Sequence, residues 1–422
     1  MIAELITIGD ELLIGQVTNT NAVWMAQQLN QIGISVKQIT CISDSKEDII
    51  KTLNEAQKRA QIILITGGLG PTKDDITKHT LCEYFNTHLV FNEDAYKNVE
   101  RLFALRGFSV SEINKRQAEV PANCIVIPNN SGTAPGMWFN YNENIIVSMP
   151  GVPYEMKGIM QQSILPELKK RYKLPFIYHK TILTQGVGES YLSEIISDWE
   201  DSLIALNLKL AYLPSPGMVR LRISGKSANE YELKNTIENK TKELEAIISQ
   251  YIYGFETYGE EPETIQKIIG TLLKKNKKTL SVAESCTGGY ISHLITSVAG
   301  SSEYFTSGVS PYNNNIKKQL FGVPQQMLDT VGAVSEEVVK QLVIGSIELF
   351  NTDYAISVSG IAGPGGATAE KPVGTVWIAV GNKEKIIAEK YLFGDDRERN
   401  IQKSATTALN MLRKFILNES EK

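Results

Sequence analysis

IILITGGLGPTKDD, residues 62–75, joins a short apolar run to a glycine-rich turn and two adjacent carboxylates. Residues 62–66 show no polar alternation and are bounded by turn residues, the pattern of a strand buried on both faces of a parallel sheet. The run leads through the glycines into DITKHTLCEYF, which has helical spacing. A strand, a glycine loop and a helix start in that order bring backbone N–H groups close to a phosphate at the positive end of a helix. Asp74 and Asp75 would repel that phosphate unless a divalent cation lay between them. The alternative for Asp74 alone is a helix cap.

Working outward, AELITIG and ISVKQITC read as two more strands, with helical patterns in NAVWMAQQLNQIG and KEDIIKTLNEAQKRA. The βαβαβ order predicts a parallel sheet covered by helices, ending with strand NIIVSMPG and helix MKGIMQQSILPELKKRY;. Asp10 and Glu11 leave the first strand at its carboxyl end, where α/β sheets bind ligands. Thr18, Asn19 and Asn21 precede the next helix, as ligand contacts or as caps, and Glu155 repeats the pattern of a carboxylate just past a strand-end glycine;.

Beyond residue 172 the pattern changes. FIYHKTILTQGVGESYLSEIISDW, LKLAYLPS, MVRLRISG and a long amphipathic helix predict a small βαββα unit over 173–257, followed by the turn-rich ETYGEEPET;. Residues 258–422 return to α/β: TLSVAES as a strand, TGGYISHLITSVA as a helix, DYAISVSG as a buried strand, KPVGTVWIAV and KIIAEKYLF as neighbouring strands, and a closing helix. The expectation is a multidomain α/β chain in three domains, 1–172, 173–257 and 258–422.

The 422 residues are 42% hydrophobic and 21% charged with a net charge of −4, which gives nucleic acid no electrostatic footing;. No stretch approaches a membrane span of about 18 apolar residues, and the first residues lack a signal peptide's basic flank, so the expected location is cytoplasmic, with no membrane partner. The four cysteines and four histidines are scattered, without zinc spacing or a nucleophile elbow;. GVGES at 186–190 lacks the GXXG of an RNA-binding KH loop, so a structural or dimer-spacing role is expected of the middle unit.

In the last third, AESCTGG (283–289) holds a glutamate, a serine, a cysteine and a threonine ahead of two glycines. Cys286 has no base near it in sequence, and Glu284 disfavours a thiolate. Ser285, Thr287, Gly288 and Gly289 sit where a strand gives way to a helix and suit a phosphate, a ribose or an oxyanion. GIAGPGG, with Gly360, Gly363 and Gly365, offers backbone N–H groups, and Arg397 and Arg399 can clamp a phosphate. A lysine can serve as base if burial leaves it neutral. Lys317 lies five residues after Tyr312, with Ser302 upstream; alternatively, Lys317 and Lys318 are two solvated lysines on a helix.

GDE, TNTN, TGGLGPTKDD and PGVPYEM, in that order and spacing, resemble the molybdopterin-binding-like fold, and the whole chain resembles the CinA family of competence/damage-inducible proteins. AESCTGG, AGSSEYFTSGVSPYNNNIKKQLFGV, GIAGPGGATAEKPVG and FGDDRERN are similar to its carboxy-terminal blocks, and the middle unit resembles its KH-like domain. The resemblance implies a bifunctional enzyme of pyridine-nucleotide salvage. Its first domain would be an ADP-ribose pyrophosphatase using a divalent metal ion, and its last would hydrolyse nicotinamide mononucleotide (NMN) to nicotinic acid mononucleotide and ammonia without a cofactor. Gly67, Gly68, Leu69, Gly70, Thr72, Thr18 and Asn21 would hold phosphate, and Asp10, Asp74, Asp75 and Glu155 the metal. Ser302, deprotonated by Lys317 and oriented by Tyr312, is the expected nucleophile, with Ser285 the second choice. A homodimer is expected. Two other readings are a molybdopterin-type nucleotidyl transferase and a non-enzymatic competence or DNA-repair factor.

Overall fold

The computed structural model describes residues 1–72 and 75–420. The strands are β1 (Ile2–Ile8), β2 (Ser35–Ile42), β3 (Ile62–Thr66), β4 (Leu89–Phe91), β5 (Glu119–Pro121), β6 (Ile125–Ile127), β7 (Gly136–Tyr141) and β8 (Asn144–Met149). They continue with β9 (Phe176–Gln185), β10 (Lys209–Ser215), β11 (Met218–Ser227), β12 (Ile252–Thr257), β13 (Leu280–Glu284), β14 (Phe305–Val309), β15 (Tyr354–Gly360), β16 (Thr375–Gly381) and β17 (Ile386–Leu392). Two compact units contain them, residues 1–178 with 225–234, and 179–224 with 235–422.

In the first unit a six-stranded sheet runs β2-β1-β3-β8-β7-β6. The apolar run Ile62–Thr66 is its buried third strand, flanked in parallel by β1 and β8. The expected parallel sheet is present in β2, β1, β3 and β8, and β7 and β6 extend it antiparallel. Asn142, at φ +53, turns the chain tightly enough for β7 and β8 to form a hairpin rather than a crossover;. Glu4, the one charge in β1, is 1% exposed and takes both arms of Arg59, Nε at 2.7 Å and Nη2 at 3.0 Å, so its burial is paired;.

In the second unit the four-stranded sheet is ordered β10-β11-β9-β12. The βαββα pattern is there, and β12 adds a strand that runs into the expected linker ETYGEEPET. Leu183 and Tyr253 of this sheet share an apolar core with Ile269, Leu280, Ile356 and Leu412. The five-stranded sheet runs β14-β13-β15-β16-β17, parallel across β14, β13 and β15 and antiparallel beyond. Its parallel strands set the carboxyl ends of β13, β14 and β15 along one edge, where AESCTGG, Ser310–Tyr312 and GIAGPGG begin. Among the described residues no helix is long and apolar enough to cross a membrane.

Candidate functional site

AESCTGG begins inside the sheet. The Glu284 carboxylate is wholly buried and accepts from the Ile291 and Ser292 N–H groups, both at 2.8 Å, and from Ser292 Oγ at 2.6 Å. It therefore anchors the first turn of the helix Tyr290–Thr296. Gly288 and Gly289 stand at φ +61 and +101, values that side-chain-bearing residues rarely adopt, and let the chain turn between strand and helix;. Ser285 donates its N–H to Val358 O at 2.8 Å, which fixes the strand end. Thr287 is 3% exposed and its Oγ1 has no hydrogen-bond partner among the described residues. A buried hydroxyl left open is costly in isolation and is satisfied by a water or a ligand atom.

β14 lies parallel to β13 with Val309 beside Ala283, so Ser310, Pro311 and Tyr312 leave the sheet at the end where Ser285 lies. Lys317 follows on the helix Asn314–Phe321 and is 1% exposed, so it is not one of two solvated lysines. Its Nζ donates to Pro311 O at 2.7 Å and Tyr312 O at 3.3 Å. Burial lowers its pKa below the usual 10.5. A neutral amine has two N–H bonds, matching these two carbonyls, and one lone pair left to accept a proton. The ammonium is near enough for its charge to act on the Cys286 thiol, the neighbour of Ser285. Arg397 joins the remaining loops: Nη2 donates to Tyr312 Oη at 3.2 Å and Nη1 to Gly363 O at 2.7 Å. Asn400, 1% exposed and without a role in the sequence reading, holds the same loops by donating to Ala362 O and Gly394 O, both at 3.0 Å.

Two expectations for this site are corrected. Ser302 is an exposed residue of the turn Ser301–Glu303, ahead of β14, whereas Lys317 lies beyond its far end. The strand between them spans about 13 Å, so Lys317 cannot deprotonate Ser302. Gly360 belongs to β15 and pairs with Val376; a Cβ there would lie 2.7 Å from the Val376 side chain, so its glycine serves sheet packing rather than a ligand. Gly365 has open space around it, and the Arg399 N–H is capped by Asp396 while its side chain is exposed.

Burial, with the Glu284 charge acting in the same sense, pushes the Cys286 thiol up to about 12. At neutral pH it is protonated and inert as a nucleophile. Cys286→Ala is expected to keep any reaction at this site within about threefold of the parent rate, since the change removes one small packed side chain. Iodoacetamide at neutral pH should leave the rate unchanged, and rapid inactivation would return the chemistry to the thiol.

In the first unit, three strand ends converge. Asp10 and Glu11 open the helix Asp10–Leu13 after β1, Asp44 follows β2, and Asp75 follows the glycine loop after β3. The Asp10 N–H donates to Asp44 Oδ2 at 3.3 Å. Burial raises the Asp44 carboxyl above the usual range, and the charges of Asp10, Glu11 and Asp75 push the same way. Asp75 accepts from both the N–H and the hydroxyl of Thr72, which shapes the loop. A Cβ on Gly67 would strike Ile8 O at 2.2 Å, and one on Gly68 would strike Thr77 Oγ1 at 2.1 Å. Thr77 is wholly buried, with its Oγ1 unpartnered among the described residues.

The other expected residues divide. Gly70, Thr72 and Asp75 line a cleft of about 640 Å³ with Lys78, His79 and Arg116. Thr18 and Asn21 line a separate cavity of about 130 Å³ with Glu11, Thr66 and Gly151. Asn21 Nδ2 donates to Gly151 O at 2.7 Å while its buried Oδ1 has no partner among the described residues, and Asn19 is the helix cap. Leu69 is 2% exposed in the apolar core, so only its backbone is available to a phosphate. Glu155 is corrected out of the metal set: it is 8% exposed, accepts from Asn129 Nδ2 at 2.7 Å, and braces the turn at Gly132. Asp74 lies outside the described residues. Among those described, no three His, Cys, Asp or Glu side chains are gathered as a metal site. Asp10, Glu11 and Asp75 thus act on Asp44 through their charges without forming a gathered ligand set.

Sequence reasoning missed Asp44, Thr77 and Asn400. The signal available for Asp44 was its position, directly after a strand in the same layer as Asp10.

Residues 4–170 match the family described as a probable molybdopterin binding domain, 179–254 the damage-inducible protein CinA KH domain, and 262–416 the CinA C-terminal domain. A CinA-like protein of Cytophaga hutchinsonii is 45% identical over 412 residues, 98% of this chain and 97% of its own. One of Flavobacterium psychrophilum is 45% identical over 423 residues, the full length of both. A solved structure, competence/damage inducible protein CihA from Agrobacterium tumefaciens, is 36% identical over 36% of this chain and 96% of its own, at a TM-score of 0.35. With all three segments matched in order and near-full-length relatives at this identity, the chain belongs to the CinA family.

Proposed function

We propose that the carboxy-terminal site is an NMN amidohydrolase in which Ser285 is the nucleophile and Lys317 the base. The observation that carries this reading is the Lys317 side chain, buried to 1% exposure with Nζ on two backbone carbonyls. In this reading Ser285 Oγ attacks the carboxamide carbon and passes its proton to the Lys317 lone pair. The resulting ammonium returns the proton to the leaving nitrogen, which departs as ammonia. Water, deprotonated by the same amine, then cleaves the acyl ester to give nicotinic acid mononucleotide. Thr287 Oγ1 supplies an open donor for substrate oxygen, and Arg397, exposed beside Tyr312, a guanidinium for the phosphate;.

For the first unit we propose hydrolysis of ADP-ribose to AMP and ribose 5-phosphate in the cleft lined by Gly70, Thr72 and Asp75. Asp75 lines this cleft, and Asp10 and Asp44 would have to close toward it to hold a divalent cation, which when bound neutralises pyrophosphate oxygens;. The loop glycines admit the phosphates;. Both reactions are tested on one purified preparation: ammonia from NMN in the presence of EDTA, and AMP from ADP-ribose with added magnesium. Absence of either product in folded protein rejects the corresponding half.

The pH dependence follows from the lysine. Its folded pKa is depressed, so the active free amine fills in as pH rises, and kcat/KM for NMN should climb through a limb lying below 10.5;. In the same window the unfolded chain binds more protons than the folded one, so this residue's burial destabilises the fold as pH falls. Lys317→Arg, which cannot deprotonate, should abolish the activity across the whole range. A flat profile in the parent, or an active arginine variant, would contradict the base assignment.

A further inference from the structure

Neither proposed reaction uses a cleft of about 770 Å³ in the second unit. Its volume falls in the range of about 300–1,000 Å³ typical of small-molecule sites. One wall is the loop Gly186–Gly188, where a Cβ on either glycine would meet nothing within 4 Å, so the backbone stands open. The opposite wall is the helix Arg397–Ser420, which presents Lys403, Thr407 and Lys414 on one face;. Gln185 Nε2 donates to Thr407 Oγ1 at 3.3 Å and ties the walls together. The floor is aromatic: Tyr391 and Phe393 lie 5.3 Å apart with their planes within 5° and pack on the apolar core. The Glu389 carboxylate takes the Tyr391 hydroxyl.

We propose that this cleft binds a nucleoside monophosphate. The stacked pair lines the cleft with ring carbon, an apolar platform for a base;. Lys414, exposed, and Lys403 stand one side of it with charge for a phosphate;. Inorganic phosphate alone would leave the platform uncovered, and a free base would leave the lysines unneutralised. Lys403 Nζ also donates to Phe393 O at 3.2 Å, and the chain after Phe393 leads to Arg397 at Tyr312. The binding does not rest on the proposed deamidase reading.

The test is photolabelling of the full chain with 8-azido-AMP, peptide mapping by mass spectrometry, and a separate NMN assay on each variant. Label is expected on peptides spanning 386–393 or 403–414, suppressed by excess AMP and not by equal inorganic phosphate. Lys414→Glu should cut that label by at least about tenfold, the scale of one charge-assisted hydrogen bond, with the deamidation rate unchanged. Label absent from these peptides, label indifferent to Lys414→Glu, or suppression by phosphate alone would each overturn the assignment. Loss of deamidation in the parent with labelling intact would count against the deamidase reading only.

Discussion

Ser285→Ala and Lys317→Ala are each expected to lower ammonia release from NMN by at least about 10³-fold, whereas Ser302→Ala stays within about twofold. The contrast rests on which end of β14 each residue occupies. Ser285 ends β13 at the sheet edge reached by Ser310–Tyr312, and Lys317 is buried just beyond that edge. Ser302 is exposed at the opposite end of the strand. Because Lys317→Ala leaves a void around Pro311 O and Tyr312 O, Lys317→Met is the companion variant that fills the space without a base. A Ser302→Ala loss as deep as that of Ser285→Ala would require a different arrangement of this site.

The second large effect separates the two halves. Asp10→Asn and Asp75→Asn should each reduce AMP formation from ADP-ribose by at least about 10²-fold, because each removes a charge from a site meant to hold a cation against phosphate. Asp44→Asn should do the same, through the carboxyl that Asp10, Glu11 and Asp75 press upon. NMN deamidation should be unchanged in all three, since these residues and Lys317 belong to different compact units. EDTA should abolish the first activity and spare the second. A pyrophosphatase rate that survives EDTA would contradict the metal assignment.

Much of this architecture was readable from short patterns. The apolar run Ile62–Thr66 proved to be a buried strand, because a strand covered on both faces has no polar side to alternate;. Strands carrying small or polar residues were harder. FTSGV at β14 has little apolar content, so nothing in the sequence marked it as the element separating Ser302 from Lys317. The choice between two serines turned on that one strand. The sheet's mixed direction was equally hidden, since a hairpin at Asn142 and a crossover leave similar patterns in the flanking strands. Asp44 sits in CISDSKED, which reads as helix-capping chemistry. Ser45 is indeed the cap, accepting from the Asp48 N–H at 3.2 Å, and that left Asp44 free to face Asp10. Buried unpartnered atoms such as Thr287 Oγ1 and Thr77 Oγ1 exist only once the chain has packed, so no pattern of letters announces them;.

The central claim is that Ser285 carries the acyl group removed from the amide, and the most direct measurement is rapid quenching of the enzyme with NMN followed by peptide mapping. The pyridinium acyl mass is expected on Ser285 itself, located by fragment-ion sequencing of the peptide, and absent in Ser285→Ala and in Lys317→Arg. The same mass found on Cys286 or Ser302 would contradict it.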